Sequence, residues 1–272
     1  MIPAPFKCAG GKTKLVEALR EHAPANWTGY AEPFLGGGAL FRSLASTGDL
    51  DGRPVWLSDA SAGTHCAWKQ IQVAPDFVEE QLMRYEDVYA KADEEARLAL
   101  FLKERAVWNS GGHTAARHIF LRNTGFNGLW RVNKLGRYNV PWGKYKSFRA
   151  PDIQALSKAL QGNVVISHTP YARVLEKVEP GWWVYLDPPY LHEFDQYTQH
   201  RFPLAAQVDL LKACQSASAR GVHVLYSNRW SSDTLALLEE HWPSATADRL
   251  VRPQTVAASS SSRGAVEELV AW

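Results

Sequence analysis

The sequence predicts an α/β protein, an open sheet split into two halves along the chain by a mostly helical insertion. Three observations predict it. Short apolar runs of strand length recur at 27–32, 55–58, 164–167, 182–186 and 222–227, each bounded by turn residues. Helical patterns fall between them, at about 171–177, 204–219 and 232–240. The first strand runs into the glycine-rich PFLGGGALFRSLA and the second ends at Asp59, and strand, glycine turn, helix, strand, acidic residue is the order that a nucleotide-type ligand site in an open sheet needs.

Taken in order, residues 11–21 read as a helix after glycines, with Leu15, Ala18 and Leu19 on one face and Lys12, Lys14 and Glu17 elsewhere. The 27–32 strand, the glycine turn with its apolar helix, and Val55–Ser58 complete the first half. A packing turn, in which small residues let helix and strand approach, is the other reading of the three glycines. From 60 to 121 the pattern is helical, as in FVEEQLMRYEDVYAKADEEARLALFLKERAVW, with no strong strand; a turn-rich segment then runs to Asp152. Sheet-like runs return at 164, and 246–252 with 266–270 read as a closing hairpin around AASSSSRG. The expected organisation is a sheet domain from 1–59 and 156–272, interrupted by an insertion over 60–155.

Composition excludes several classes. With 46% hydrophobic and 21% charged residues, the chain of 272 residues is globular. Its 30 basic residues nearly balance 28 acidic ones, giving +2, so the total charge points to no partner. Cys8, Cys66 and Cys214 are far apart and odd in number, which suits a reducing compartment and gives no metal-ligand spacing. His65, His113, His118, His168, His192 and His200 are equally scattered, so no metal is expected. MIPAPFKCAGGK lacks the basic and apolar stretches of a secretory signal, and no apolar run approaches a membrane span. A cytoplasmic protein without a membrane partner is the expectation.

Charge is concentrated locally. Arg117, Arg122, Arg131, Lys134, Arg137, Lys144, Lys146 and Arg149 fall in one interval without a single Asp or Glu. Trp130, Tyr138, Trp142, Tyr145 and Phe148 are interleaved, and Asn123, Asn127, Asn133 and Asn139 add groups able to read base edges. Glycines at 125, 128, 136 and 143 make the segment a hairpin with loops. This is the polarity of a face that meets a phosphate backbone; a solvated basic loop is the plainer alternative, and it leaves the many aromatic residues unexplained. Lys144, Lys146 and Arg149 read as phosphate neighbours, and Arg131 and Arg137, flanking the turn, as candidate base readers.

The sharpest motif is YLDPPY, Tyr185–Tyr190, directly behind the apolar GWWVYL. Proline restricts the backbone, so Asp187, Pro188, Pro189 and Tyr190 form a stiff loop at the carboxyl end of a strand, where open sheets bind ligands. An Asp187 carboxylate and the Pro188 carbonyl can accept the two N–H groups of a conjugated exocyclic amine and draw electron density onto its nitrogen. Tyr190 can stack on an extruded base. The alternative is a turn-capping Asp187 and a packing Tyr190.

Together, PFKCAGGK, AEPFLGGGALF, the Asp59 turn, RNTGFNGLWRVNKLGRYNVPWG and YLDPPY, in this order from about residue 5 to 270, resemble the Dam-like, D12-class family of DNA adenine-N6 methyltransferases. The resemblance implies a Rossmann-like class I methyltransferase sheet, S-adenosylmethionine as cofactor and double-stranded DNA as partner, with transfer of a methyl group to a flipped adenine. It implies cofactor contacts at Phe6, Cys8, Ala9, Gly10 and Lys12, beneath the cofactor at Glu32, Pro33, Phe34, Gly36 and Gly38, and at Asp59 and Asp187. Asp187, Pro188, Pro189 and Tyr190 are implied as the catalytic loop, followed by the aromatic run Phe194, Tyr197 and Phe202. Lys7 is implied near the target base, and the 122–143 hairpin in DNA contact, with Arg122, Asn123, Asn127, Arg131, Asn133, Lys134, Arg137, Tyr138, Asn139, Trp142, Lys144 and Lys146 as candidates. The family also implies a monomer, with a restriction endonuclease as a conceivable genetic partner.

Three features depart from the family pattern. Cys8 stands where Trp is usual, the stretch after DPPY is short, and AASSSSRG replaces an asparagine-glycine turn. Cytosine N4 or an RNA amine are the neighbouring substrates; Ser more often precedes the two prolines in cytosine enzymes, which favours adenine here. A DNA-binding relative without catalysis is the non-enzymatic alternative, and the intact Asp187, Pro188, Tyr190 and Asp59 argue against it. A Rossmann dehydrogenase would need G-x-G-x-x-G, which GGG does not provide.

Overall fold

The structure is a computed structural model that describes residues 1–190, 202–253 and 265–272. Seven strands, β1 (Gly29–Glu32), β2 (Val55–Ser58), β3 (Val164–Ser167), β4 (Trp182–Leu186), β5 (His223–Arg229), β6 (Ala247–Pro253) and β7 (Ala265–Ala271), form one sheet in the order β3-β2-β1-β4-β5-β7-β6. The first five are parallel, and β7 runs antiparallel between β5 and β6. The strand order reverses between β1 and β4, so the crevice for a ligand opens at the carboxyl ends of these two strands.

Strand alternation explains why both faces are covered. Tyr30, Trp183, Tyr185, Leu225 and Val270 point into one core, whereas Ala31, Val184, Leu186, Val224, Tyr226, Leu269 and Ala271 point into the other. The second core is closed by α8 (Tyr171–Lys177), α9 (Leu204–Ala219) and α10 (Ser232–His241). The first is shared by α1 (Val16–Glu21), α2 (Ala39–Thr47), α3 (Ala62–Val73) and α7 (Ile153–Ala159), with α4 (Pro75–Lys91), α5 (Glu94–Asn109) and α6 (Ala115–Thr124) stacked outside them. Ser61, Asp93 and Thr114 cap the starts of α3, α5 and α6 by accepting from a backbone N–H three residues on.

Two differences from the sequence expectation bear on function. The first helix begins at Val16 rather than at 11, because Lys12 is drawn inward and the chain turns there, with Leu15 N–H donating to Lys12 O at 2.8 Å. The helical stretch after Asp59 is not all peripheral: α3 packs on β3 and α7. The turn-rich segment folds as a small hairpin. Gly125 pairs with Trp142 and Val132 with Tyr138, and the tip is closed by Asn133, whose N–H donates to Arg137 O at 2.9 Å and whose Oδ1 accepts from Arg137 N at 3.1 Å. Among the described residues no helix is long and apolar enough to cross a membrane.

Candidate active site

The crevice at the β1–β4 boundary gathers side chains from four separate parts of the chain. β4 ends at Leu186 and delivers Asp187, whose side chain keeps 23% exposure while its Oδ1 accepts from Lys12 Nζ at 2.6 Å. Lys12, 2% exposed, also lies 2.9 Å from Glu268 Oε1 on β7 and donates to Tyr190 Oη at 3.1 Å. Tyr190 Oη in turn donates to the Glu268 carboxylate, at 2.7 and 2.9 Å. On the other side, Ser227 Oγ of β5 lies 3.3 Å from Asp187 Oδ1 and 3.0 Å from Tyr185 Oη.

The electrostatics follow from burial and pairing. Burial disfavours the Lys12 charge, yet Asp187, Tyr185, Tyr190 and Glu268 together hold its pKa well above the usual lysine range. Burial also raises the Glu268 carboxyl, and Lys12 offsets only part of that rise. Burial raises the Tyr190 phenol too, keeping it a neutral donor.

Next to this cluster the chain builds a second acidic wall. Glu32, at the end of β1 and 2% exposed, accepts on Oε2 from Tyr30 Oη at 2.8 Å and from Phe41 N at 3.2 Å. Burial pushes its carboxyl up to about 8. Asp59, at the end of β2, ties the glycine turn to α3: Oδ2 accepts from Gly36 N at 2.8 Å and Oδ1 from Ser61 N at 2.7 Å. Gly36 and Gly38 take φ values of 47° and 60°, which favour glycine, and the Gly36 carbonyl accepts from Trp68 Nε1 at 2.9 Å. Pro33 is buried, whereas Phe34 is half-buried and stacks on Tyr171 with centroids 5.4 Å apart; Phe202 meets Phe34 edge-on at 5.7 Å.

The amino-terminal residues divide. Ala9 and Gly10 are exposed beside the crevice, and Cys8 is half-buried with its Sγ 3.1 Å from Arg122 Nη2 and against Gly36. Phe6 is 2% exposed and packs edge-on against His118, so its ring belongs to the core and not to the crevice. Lys7 is fastened to the insertion: its N–H donates to Asn123 Oδ1 at 2.8 Å, its Nζ to Asn123 O at 3.1 Å, and the ammonium sits 3.4 Å over the Tyr145 ring.

The basic segment also divides by exposure. Lys134, Arg137, Lys144, Lys146 and Asn127 are exposed, and Arg131 is half-buried. Tyr138 is a correction: at 1% exposure it stacks on Trp130 inside the core, because the hairpin folds that face inward, so its ring offers nothing to DNA. Arg122 is likewise 6% exposed, with Nε donating to Lys7 O at 3.0 Å, and it joins the hairpin base to the amino-terminal loop. Asn123 bonds Lys7; Asn133 is used by the hairpin tip; Asn139 Oδ1 accepts from Arg131 Nε at 3.0 Å; and Trp142 Nε1 donates to Tyr89 Oη at 3.0 Å. Asn133, Asn139 and Trp142 act on the shape and seating of the hairpin, and Asn123 ties α6 to the amino-terminal loop.

Sequence reading missed three residues. Glu268 is a single buried carboxylate in a run of apolar residues, EELVAW, and that break in the strand pattern was its signal. Ser227 carried no signal. Phe126 is 47% exposed at the hairpin base beside Asn127, an aromatic residue left outside the core among basic groups. Phe194, Tyr197, His192, His200 and the AASSSSRG turn lie outside the described residues. Among the described residues no group of three His, Cys, Asp or Glu side chains is arranged to hold a metal.

A parallel sheet with its reversal at β1 and β4, closed by an antiparallel β7 and carrying an acidic residue at each of its first two strand ends, defines a class I methyltransferase-like fold. The chain belongs to the D12 class N6 adenine-specific DNA methyltransferase family, whose model matches residues 9–252. It is 33% identical to the Type II methyltransferase M.MjaIII of Methanocaldococcus jannaschii, over 87% of this chain and 88% of that one. Identity is 29% to the Type II methyltransferase M1.LlaDCHI of Lactococcus lactis subsp. cremoris, over 98% and 94%, and 26% to a DNA adenine methylase of Vibrio cholerae, over 98% and 94%. The activity is site-specific methylation of adenine N6 in DNA, and membership implies dependence on S-adenosylmethionine.

The residues present fit that cofactor. A glycine turn with positive φ at Gly36 and Gly38, lined by Cys8 and Trp68, and the half-buried Asp59 carboxylate at the end of β2 suit a ligand that brings a ribose diol close to the backbone.

Proposed function

We propose that the methyl group is transferred to an adenine turned out of duplex DNA into the crevice, with Asp187, Pro188, Pro189 and Tyr190 as its receiving loop. The observation that carries this reading is the position of Asp187: a carboxylate with one oxygen held by Lys12, a side chain still open to the crevice, and a stiff proline backbone behind it. The adenine N6 is a weak nucleophile because its lone pair is delocalised. Asp187 accepting one N6–H and the Pro188 carbonyl accepting the other would localise that lone pair and orient it for in-line attack. S-adenosylmethionine would supply an activated methyl group on its sulfonium, the S–CH3 bond breaking to leave a neutral thioether; the extra N6 proton then passes to Asp187 or to water at the crevice mouth. Tyr190 stacks on the extruded base, and its hydroxyl, bound to Glu268, fixes the ring plane.

Asp59 is assigned to the ribose end of the cofactor, the buried Glu32 to the wall beneath it, Gly36 and Gly38 to its close backbone approach, and Cys8, Ala9 and Gly10 to the crevice rim. Residues 60–155 carry the target-recognition surface, interrupting a catalytic domain of 1–59 and 156–272. Within it, Arg131 and Arg137 read bases, and Lys134, Lys144 and Lys146 neutralise phosphates. A monomer covers its DNA site with the hairpin and the crevice; a restriction endonuclease is the partner such a chain would have if it served in modification.

Incubation with methyl-labelled S-adenosylmethionine and mixed-sequence duplex, followed by nucleoside analysis, tests the reaction. N6-methyladenine is expected from the unaltered chain. Asp187→Ala is expected to lower turnover by roughly 10²–10³-fold while cofactor affinity is kept, because the lost acceptor acts on N6. An unchanged rate in a folded Asp187→Ala would overturn the assignment.

A further inference from the structure

We infer that Glu268 is a positioning residue for methyl transfer, acting through Lys12 and Tyr190 to set the catalytic loop. The inference rests on the proposed role of Asp187 and extends it to a strand far away in sequence. Glu268 sits on β7, has no exposure, and is 2.9 Å from Lys12 Nζ and within 2.7–2.9 Å of Tyr190 Oη. It faces the amino-terminal loop and the loop after β4 together, and those are the two segments that must keep a fixed separation if an adenine is to enter between them.

The chemistry of the cluster explains why a carboxylate is needed there. Lys12 has a short bond to Asp187, and an unrestrained ammonium would centre on that carboxylate, neutralise it and weaken it as an acceptor for N6–H. Glu268 competes for the same ammonium. It divides the lysine's charge between two carboxylates and leaves Asp187 electron-rich toward the crevice. Tyr190 closes the arrangement, since its hydroxyl accepts from Lys12 and donates to Glu268, which fixes the ring that stacks on the base. Cross-strand Arg229 is exposed, and Arg249 pairs with Glu267, so neither of these arginines substitutes for Lys12.

The test is a double-mutant cycle on the full chain, measuring kcat, KM for S-adenosylmethionine, DNA affinity and melting temperature. Glu268→Gln is expected to lower kcat by about 10²-fold, the scale of a small misplacement of reacting groups, with KM and DNA affinity within about threefold. In the Lys12→Met background, Glu268→Gln is expected to lower kcat by much less than it does in the unaltered chain, because only the contact with Tyr190 is left for it to remove. Additive losses, or an unchanged kcat in folded Glu268→Gln, would overturn the inference. Should Glu268→Gln fail to fold, Glu268→Asp decides: it keeps the charge but withdraws from Lys12, so a folded variant with full kcat would overturn it and a lowered kcat would support it. An unchanged rate in a folded Asp187→Ala would instead count against the role of Asp187, which separates the two.

Discussion

Lys12 Nζ and Asp187 Oδ1 stand 2.6 Å apart although 175 positions separate them in the chain. The lysine leaves what would have been the first turn of a helix to make that contact, and it is enclosed when it arrives. The amino-terminal loop is therefore part of the catalytic centre, joined to it by a buried charge rather than by apolar packing alone.

Removing that charge should cost stability as well as activity. Lys12→Met leaves the Asp187 and Glu268 carboxylates facing each other, and loss of one partner from a buried ion pair costs about 3–5 kcal/mol. Glu268, whose carboxyl burial already raises, can take up a proton instead. The loss should therefore be smallest near pH 5 and grow as pH rises, and Lys12→Met with Glu268→Gln should recover part of it. Denaturant unfolding of the three chains between pH 5 and 9 measures this; equal losses at every pH would contradict it.

Glu32 predicts a second pH dependence. Its carboxyl titrates near 8 in the folded protein because burial raises it from an ordinary value of 4.5. A raised folded pKa gives a contribution that is complete below the unfolded value and is lost as pH rises through the folded one, so the folded protein should weaken between about pH 4.5 and 8. Glu32→Gln keeps an oxygen for Tyr30 and Phe41 and cannot ionise. Its unfolding free energy should match that of the unaltered chain near pH 5 and exceed it at pH 9, with a slope difference of at most about 1.4 kcal/mol per pH unit. Parallel curves would show that Glu32 titrates normally.

The exposed side chains of the hairpin separate affinity from selectivity. Lys146→Ala should weaken binding to cognate and random duplex alike and reduce the salt dependence by about one phosphate contact. Arg137→Ala should narrow the difference between the two duplexes, at about 1–3 kcal/mol if it reads a base. Fluorescence anisotropy with both duplexes at several salt concentrations distinguishes them; a uniform loss with Arg137→Ala would move that residue to the phosphate group.

Much of the architecture was legible because it is periodic or chemically local. The 55–58, 164–167 and 182–186 runs became strands, since apolar β-rich segments bounded by turns have few other ways to be buried. The order of glycine turn, Asp59 and DPPY placed all three at carboxyl ends of strands, and the basic interval between Arg117 and Arg149 was visible as charge without counter-charge. Tertiary structure decided which of those side chains remain available. Tyr138 is buried because the hairpin folds it onto Trp130, and Arg122 because α6 presses it against the amino-terminal loop and the same Trp130 ring. Glu268 joins the site because β7 inserts antiparallel between β5 and β6, a pairing that brings distant residues together and leaves no spacing in the chain to reveal it. Local sequence specifies backbone preference and chemical type; exposure and partnership are set by long-range packing, which the order of residues does not display.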